Sequence, residues 1–455
     1  MQPTLFFPIF LLMTVVALTS VQRWAWMMGF SAFFQAASPI AIVGGGRYVG
    51  IAPVYCLMFI GLWHVYGSYY NGYRVANAGI KDAPRSLSPL WLTLFVLIGV
   101  TGAIFLPRLL QGMVLVLPPR GGLDSGFTVP LVPTSGNYIQ SFYLLCILGL
   151  FMMVRHLTLR KVVSAECFIR GIVAGLVLAV AVGYYQFIAF YLGLPWPGEI
   201  INSNAGLGQL PDQTAFGVKR ISSLFMEPST MSQHLLGGIG VLVFGLQRKL
   251  LGLFLLGVIL LSTSSLAYFG LLGLSAVWLL TSRYTQNGGK LSLTLVLVAI
   301  VGAGVSIDFA LMSGQITQSM LFEKMDSGSG QARLNADALA VTSFIQSFGL
   351  GSGVGSARAS SLPASLAATV GLPGLLLFAA FLWSSIASVY RQRSDQERAI
   401  FFGMVGLLIA WLLAAPDINI AFFWILAGLA SGSADLSPQQ LPPATLRSKA
   451  ERSPI

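Results

Sequence analysis

Charge is what this chain has least of. Only 9% of its 455 residues are Asp, Glu, Lys or Arg, where a soluble globular domain carries about 25%. Cysteine is scarce too: Cys56, Cys146 and Cys167 show no CxxC spacing and no His at ligand distance, which excludes a disulfide scaffold and a zinc module. There are three histidines and no metal-ligand or Ser-His-Asp constellation, so neither a metal nor a cofactor is expected. No GxxxxGK[ST] loop occurs, which argues against a P-loop nucleotide hydrolase. The net charge of +11 comes without a basic stripe or an aromatic stacking platform, so nucleic acid is not an expected partner. The N-terminus, Met1-Gln2-Pro3-Thr4, lacks a basic region, and the first apolar run is expected to be retained.

What the chain has is apolar length. Hydrophobic residues make up 55%, and mean hydropathy is +0.78. Uninterrupted apolar runs lie near 4–21, 24–43, 50–68, 88–106, 138–155, 170–192, 229–246, 250–264, 267–282, 291–311, 365–390, 399–414 and 417–433. A run of about 20 apolar residues reads as one membrane span. The expectation is an all-α polytopic membrane protein of about 12–13 transmembrane helices, one integral domain over 1–433 followed by a disordered cytoplasmic tail, 434–455. The pair around Ser262-Thr263-Ser264-Ser265 reads either as two short helices or as one broken helix.

The basic residues sort by loop. Eighteen of the 26 fall in alternate short loops and the tail, from Arg23 and Arg74 through Arg155–Arg170, Arg248 and Arg391–Arg398 to Arg452. The other eight are Arg47, Arg108, Arg120, Lys219, Arg220, Lys324, Arg333 and Arg358. Under the positive-inside rule the richer set is cytoplasmic. The external side then holds the long loops, 193–228 and 312–364, with a further one at 107–137. Loops of that length are usually functional or disordered.

Two clusters there can carry chemistry. The first is Lys219-Arg220-Ile221-Ser222-Ser223-Leu224-Phe225-Met226-Glu227-Pro228-Ser229. Pro228 and Ser229 suit a helix start, and Glu227 suits the positive end of its dipole. One reading is a capped helix with a boundary Arg–Glu pair. The other is an anion site, with the planar fork of Arg220 on phosphate oxygens and Glu227 orienting it or taking a proton. The second cluster runs from Glu323, Lys324 and Asp326 through a Gly/Ser turn to Arg333, then over a helical stretch, 334–348, to Gly349-Leu-Gly-Ser-Gly-Val-Gly-Ser356, Arg358, Ser360 and Ser361. The backbone amides of that glycine-rich run could cradle an anion. Asp308 and Asp417 read as solvated boundary residues or as functional carboxylates. His234, one turn into the seventh span, reads as packing or as support for the site.

These residues resemble a family. Arg220 with Phe225-Met226-Glu227-Pro228-Ser229 is similar to the Arg…Phe-x-Glu-Pro-Ser signature of O-antigen and exopolysaccharide polymerases. Gly183-Tyr184-Tyr185-Gln186, the 349–356 glycine run and Gly371-Leu372-Pro373-Gly374 resemble the same superfamily, which also includes the O-antigen ligases. The resemblance covers roughly 180–390. It implies a metal-independent, lipid-donor glycosyltransferase bundle in the bacterial inner membrane, acting at the periplasmic face on undecaprenyl-diphosphate-linked glycans. A flippase and a chain-length regulator of the same pathway are implied partners. Arg220 and Arg333 correspond to the arginines that hold the diphosphate, with Arg358 beside them and Glu227 as the catalytic carboxylate. Ser229, His234, Asp326 and Ser360 are candidate supporting residues. Ligases usually carry a His where Ser360 stands, so the resemblance favours a polymerase and leaves the base unassigned between Glu227 and another group. The alternatives are a ligase and, in a different class, a transporter of lipid-linked saccharides; no inverted repeat with broken midplane helices supports the latter.

Overall fold

A computed structural model describes residues 1–44, 47–70, 86–119, 127–204, 213–215, 218–281, 328–391 and 394–434. Among the described residues the chain is a helical bundle with three small antiparallel sheets. Its helices are α1 (Phe7–Thr19), α2 (Val21–Ser31), α3 (Pro53–Tyr70), α4 (Ser88–Leu109), α5 (Ser135–Leu159), α6 (Ala165–Leu192), the single turn α7 (Gly198–Ile201), α8 (Pro228–Ile239), α9 (Lys249–Leu261) and α10 (Ser265–Thr281). Then follow α11 (Gly328–Gln346), α12 (Leu362–Val389), α13 (Asp395–Ala414) and α14 (Ala421–Ala434). Five of these, α4, α5, α6, α12 and α13, are long and apolar enough to cross a membrane alone. This is an all-α polytopic membrane protein.

Each expected run that falls on described residues contains a helix. The run at 291–311 lies outside the described residues, as do Asp308, Lys324, Asp326 and the tail from 435. The Ser262–Ser265 ambiguity resolves into two helices, α9 and α10, joined by a turn with Thr263 at φ 48°. The run 24–43 is a correction. Helix α2 stops at Ser31, and Ile40–Gly44 is a strand paired with Arg47–Ile51, to which Gln2–Pro3 adds a third. Ser38-Pro39 ends helical geometry, the β-branched Ile40 and Ile42 suit a strand, and Gly44 begins a glycine triplet that favours a hairpin.

In lipid the hydrophobic effect does little to bring helices together, so close backbone approach carries the packing. Gly29 of α2 and Gly171 of α6 face each other's helices so closely that a Cβ on either would lie 2.3 Å from the Phe168 carbonyl oxygen or 2.0 Å from that of Trp26. Gly240, in a π-helical continuation of α8 (Gly240–Gly245), meets the Phe402 carbonyl of α13 in the same way. Trp24, Trp411 and Trp424 are fully buried, and each indole N–H donates to a carbonyl, of Leu57, Asp417 and Ile418 respectively.

The bundle has two polar faces. On one, the Ser38 N–H donates to Ser203 Oγ at 3.0 Å, that of Gly50 to Asn204 Oδ1 at 3.2 Å and that of Ala36 to the Leu224 carbonyl at 3.2 Å. The start of α8 belongs to this site face. On the far face, Ser88 and Arg155 both donate to Ser431 Oγ, at 2.8 and 3.0 Å.

Candidate active site

The Arg220 segment is held from α6. Gln186 Oε1, inside that helix, accepts the N–H groups of Ser222 and Ser223, each at 2.8 Å, and Ser223 Oγ donates to the Ala179 carbonyl at 2.6 Å. Ser223 has φ 53°, a left-handed conformation that this double anchor over-determines. The chain then buries Phe225 against Phe33 and against His234, whose ring lies 4.6 Å away. Pro228 occupies the first turn of α8, where its missing N–H costs nothing. Glu227 is the residue before it, with extended backbone and no side-chain capping bond. Its exposed carboxylate instead accepts the Ser229 hydroxyl at 3.1 Å. The capped-helix reading of Glu227 is therefore half right: the helix starts there, and the carboxylate is turned to other use.

Arg220 is half-buried, and its Nε donates to the Ser262 carbonyl in the α9–α10 turn at 3.5 Å. Burial lowers its pKa from the ordinary 12.5, Glu227 opposes that, and Arg333 adds to it. A guanidinium stays charged regardless. Burial is the larger cause, and the two smaller ones place Glu227 and Arg333, from other parts of the sequence, within electrostatic reach of Arg220. No salt bridge joins Arg220 to Glu227 among the described residues. Arg333 lies in the second turn of α11, which begins earlier than the expected Gly/Ser turn allows. The result is two cations and one carboxylate at a partly desolvated face, with an excess of positive charge.

The glycine-rich run behaves differently. The amides of Ser352 and Gly353 donate to Ala368 and Thr369 of α12 at 2.8 and 2.9 Å, that of Gly351 to Ser347 Oγ at 3.0 Å, and those of Ser356 and Arg358 to Gly353 and Leu117. These five are spent inside the protein, so the run as a whole does not form the expected anion cradle. Gly349, Gly351, Gly353 and Gly355 all have positive φ, and their missing side chains let the run pass through the bundle. A Cβ on Gly355 would lie 2.4 Å from the Gly136 carbonyl oxygen, and one on Gly351 2.6 Å from that of Thr369. Asn137 of α5 clamps the same run, its amide donating to the Val354 carbonyl at 2.9 Å and to Ser356 Oγ at 2.7 Å. Irregular backbone is tolerated in such a protein only where protein satisfies it. Opposite the run, α12 breaks at Gly371 (φ 65°, ψ −167°), and the Leu372 N–H returns to Gly349 at 2.8 Å.

A cavity of about 500 Å³ opens on the same face, walled by the Arg47–Ile51 strand, α5, the start of α12 and the α13–α14 connection. Arg358, Met226 and Asp417 line it. The last helix begins at Ala421, so Asp417 lies before it and presents its side chain to the cavity. The surrounding protein holds this carboxyl above its ordinary 3.8, against the opposing hydrogen bonds from Asn419. Asp337 of α11 accepts the amides of Ser360 and Ser361 at 2.6 and 3.1 Å, which ties the residues just before α12 to another element.

The structure thus groups Arg220, Glu227, Ser229 and Arg333, and sets Arg358 on the wall of the adjoining cavity. His234 is fully packed, its Nδ1 bonded to the Thr230 carbonyl at 2.9 Å between two phenylalanines, and serves the segment's shape. Ser360 is a buried part of the α12 start. Asp326 lies outside the described residues. Gln186 enters the sequence reading only as the end of the Gly183–Gln186 motif, with no role, and Asp337 and Asn419 escape it, since single polar residues are their only signal. The chain matches no protein-family model, and no curated protein matches it.

Proposed function

We propose that the chain is a membrane glycosyltransferase that polymerises undecaprenyl-diphosphate-linked oligosaccharide repeat units into O-antigen, capsule or exopolysaccharide. What supports this is that the half-buried Arg220 feels the charges of both Glu227 and Arg333, which lie in other parts of the sequence. Two like charges in a partly desolvated place repel, and a diphosphate reverses that cost. In the reaction an acceptor hydroxyl oxygen bonds to the anomeric carbon as the carbon–oxygen bond to the diphosphate breaks. The hydroxyl proton passes to a base, for which the exposed Glu227 carboxylate is the candidate, and the electron pair leaves on the lipid diphosphate. Fixed guanidinium groups meet the charge that grows there. The activated donor stores the energy, so positioning and one base suffice.

The site face is assigned to the periplasm of a bacterial inner membrane. Arg23, Arg155, Arg160, Arg170, Arg248 and Arg398 stand at helix ends away from it, which the positive-inside rule assigns to the cytoplasm. Thiol labelling of intact cells tests this: Leu194→Cys should react with an impermeant maleimide and Ser394→Cys should not, and the reverse pattern would overturn the assignment. The activity is tested in a strain lacking the chain. Restoration of long glycans by the wild type supports polymerisation. Single repeats persisting on the lipid contradict it, and long glycans left on the lipid in place of their acceptor point to a ligase.

A further inference from the structure

We infer that α11 is a re-entrant helix: its second half is sunk in the hydrocarbon on the site face, while its first half holds Arg333 at the polar boundary. The helix has two unlike halves. Arg333, Asn335 and Asp337 lie in the first, and no charged residue occurs from position 338 to position 357. Around its axis it is two-faced as well. Ala336, Ala340, Ser343 and Ser347 are buried at helical spacing, and this small-residue face is taken up by α12 and the Leu115–Val116 strand. The other face turns Val341, Ile345 and Phe348 outward, the last of them 78% exposed. Leu334 is exposed in the first half, but singly, as surface apolar residues often are.

The outward face of the second half runs on into the outward stripes of two membrane-crossing helices. The Leu115 N–H donates to Gln346 Oε1 and Ser343 Oγ to the Leu115 carbonyl, each at 2.7 Å. These bonds set α11 beside the end of α4, where Phe105 and Leu109 are exposed. On its other side the Leu372 N–H reaches the Gly349 carbonyl, so Phe348 adjoins the exposed Leu372 and Leu376 of α12. Lipid accepts such a segment only where protein meets its polar groups. The hydroxyls and the helix end comply. Thr342 Oγ1 donates to the Ala338 carbonyl at 3.0 Å and Ser347 Oγ to that of Phe344 at 2.9 Å. The N–H groups of Gly349 and Leu350 close the end on Phe344 and Ser347, both at 3.0 Å. Phe348 itself has φ 55°, a strained conformation for a bulky residue. In water that strain would be compounded by the exposed ring, and in hydrocarbon it is not. A second copy of the chain is the competing occupant, and the continuity with α4 and α12 favours lipid. The insertion stands without the polymerase reading; with it, the sunk end fixes Arg333 at headgroup depth, where a lipid diphosphate lies.

Nitroxide labels test this without calling on activity. They are placed singly at Asn335→Cys, Val341→Cys, Ile345→Cys and Phe348→Cys in the full-length chain, which also carries Cys56→Ala, Cys146→Ala and Cys167→Ser. The protein is held in phosphatidylethanolamine–phosphatidylglycerol nanodiscs, which contain no polyprenyl lipid. EPR power saturation compares accessibility to oxygen, which concentrates in hydrocarbon, with accessibility to a water-soluble nickel chelate. The oxygen-to-nickel ratio should be several-fold higher at positions 345 and 348 than at 335, with 341 between them. Labels at 345 and 348 that favour nickel would put the helix end in water and overturn the inference. Labels there shielded from both reagents would mean that protein covers the face, a second copy included, and would overturn it too. One ratio at all four positions would lay the helix flat and deny re-entry. Position 345 lies before the left-handed turn, so it carries the test alone if Phe348→Cys does not fold. A chain that polymerises nothing leaves the label result standing, and a flat or watery helix leaves the polymerase reading standing.

Discussion

The Arg220 segment and the glycine-rich run at 349–356 look alike as sequences, polar and turn-rich beside a helix start, and both invite an anion. They fold to opposite ends. In the first, Gln186 satisfies the backbone and the charges are left facing outward, without a salt bridge between Arg220 and Glu227. In the second, most of the backbone amides are consumed by carbonyls of α12 and of neighbouring turns and by Ser347 Oγ. What separates them is where the hydrogen bonds go. A glycine run reads as a phosphate loop only while its N–H groups remain unspent, and here they serve to carry irregular chain through a membrane bundle.

Substitutions should break the comparison in a definite order. The largest effect belongs to the arginines. Arg220→Ala and Arg333→Ala should each lose about a thousandfold in rate, roughly 4 kcal/mol of transition-state stabilisation, and Lys should recover little because it lacks the planar fork. The check is polymer yield at matched membrane level; variants that polymerise at wild-type rates would reduce these residues to boundary charges. Next comes Glu227→Gln, expected to cost about a hundredfold in turnover with unaltered folding, in line with loss of a general base. Full activity would leave the carboxylate only its bond to Ser229.

Changes in the glycine run should act on folding instead. Gly351→Ala forces a Cβ against the Thr369 carbonyl at positive φ, a strain of about 1–3 kcal/mol. Melting temperature and membrane level should fall, while the protein that remains folded should keep its turnover per molecule. A variant that is stable yet inactive would return the run to the site. The smallest effect is expected at Asp417. Its folded pKa lies above the ordinary 3.8, so the native state holds a proton that the unfolded chain releases. That contribution to stability is present at low pH and is lost as pH rises through the folded pKa. Asp417→Asn should therefore melt at a higher temperature than the wild type at pH 8, with the gap closing as pH falls below 4. A gap independent of pH would show that the carboxyl is not raised above its ordinary value.

Much of this was legible from the chain alone, for physical reasons. Apolar length marks helices in lipid almost regardless of partners, which is why α4, α5, α6, α12 and α13 coincide with apolar runs. Where length was ambiguous, local chemistry decided: Ser38-Pro39 and the β-branched residues after it turn the end of the second run into a strand, an outcome that hydropathy does not distinguish from a span. Arg220, Glu227 and Arg333 stood out because charge is rare here. Their partners did not. Gln186 bonding Ser222 and Ser223, and Asp337 bonding the amides of Ser360 and Ser361, are long-range pairings between ordinary polar residues, and only folding brings them together.

The central claim is that Arg220 and Arg333 act as one clamp on a lipid diphosphate. Purified full-length protein in nanodiscs, given an undecaprenyl-diphosphate-linked repeat unit with EDTA present, tests it most directly. The account predicts a ladder of lengthened glycans from the wild type and none from Arg220→Ala or Arg333→Ala. A wild type that makes no ladder, or alanine variants that make it equally well, would contradict it.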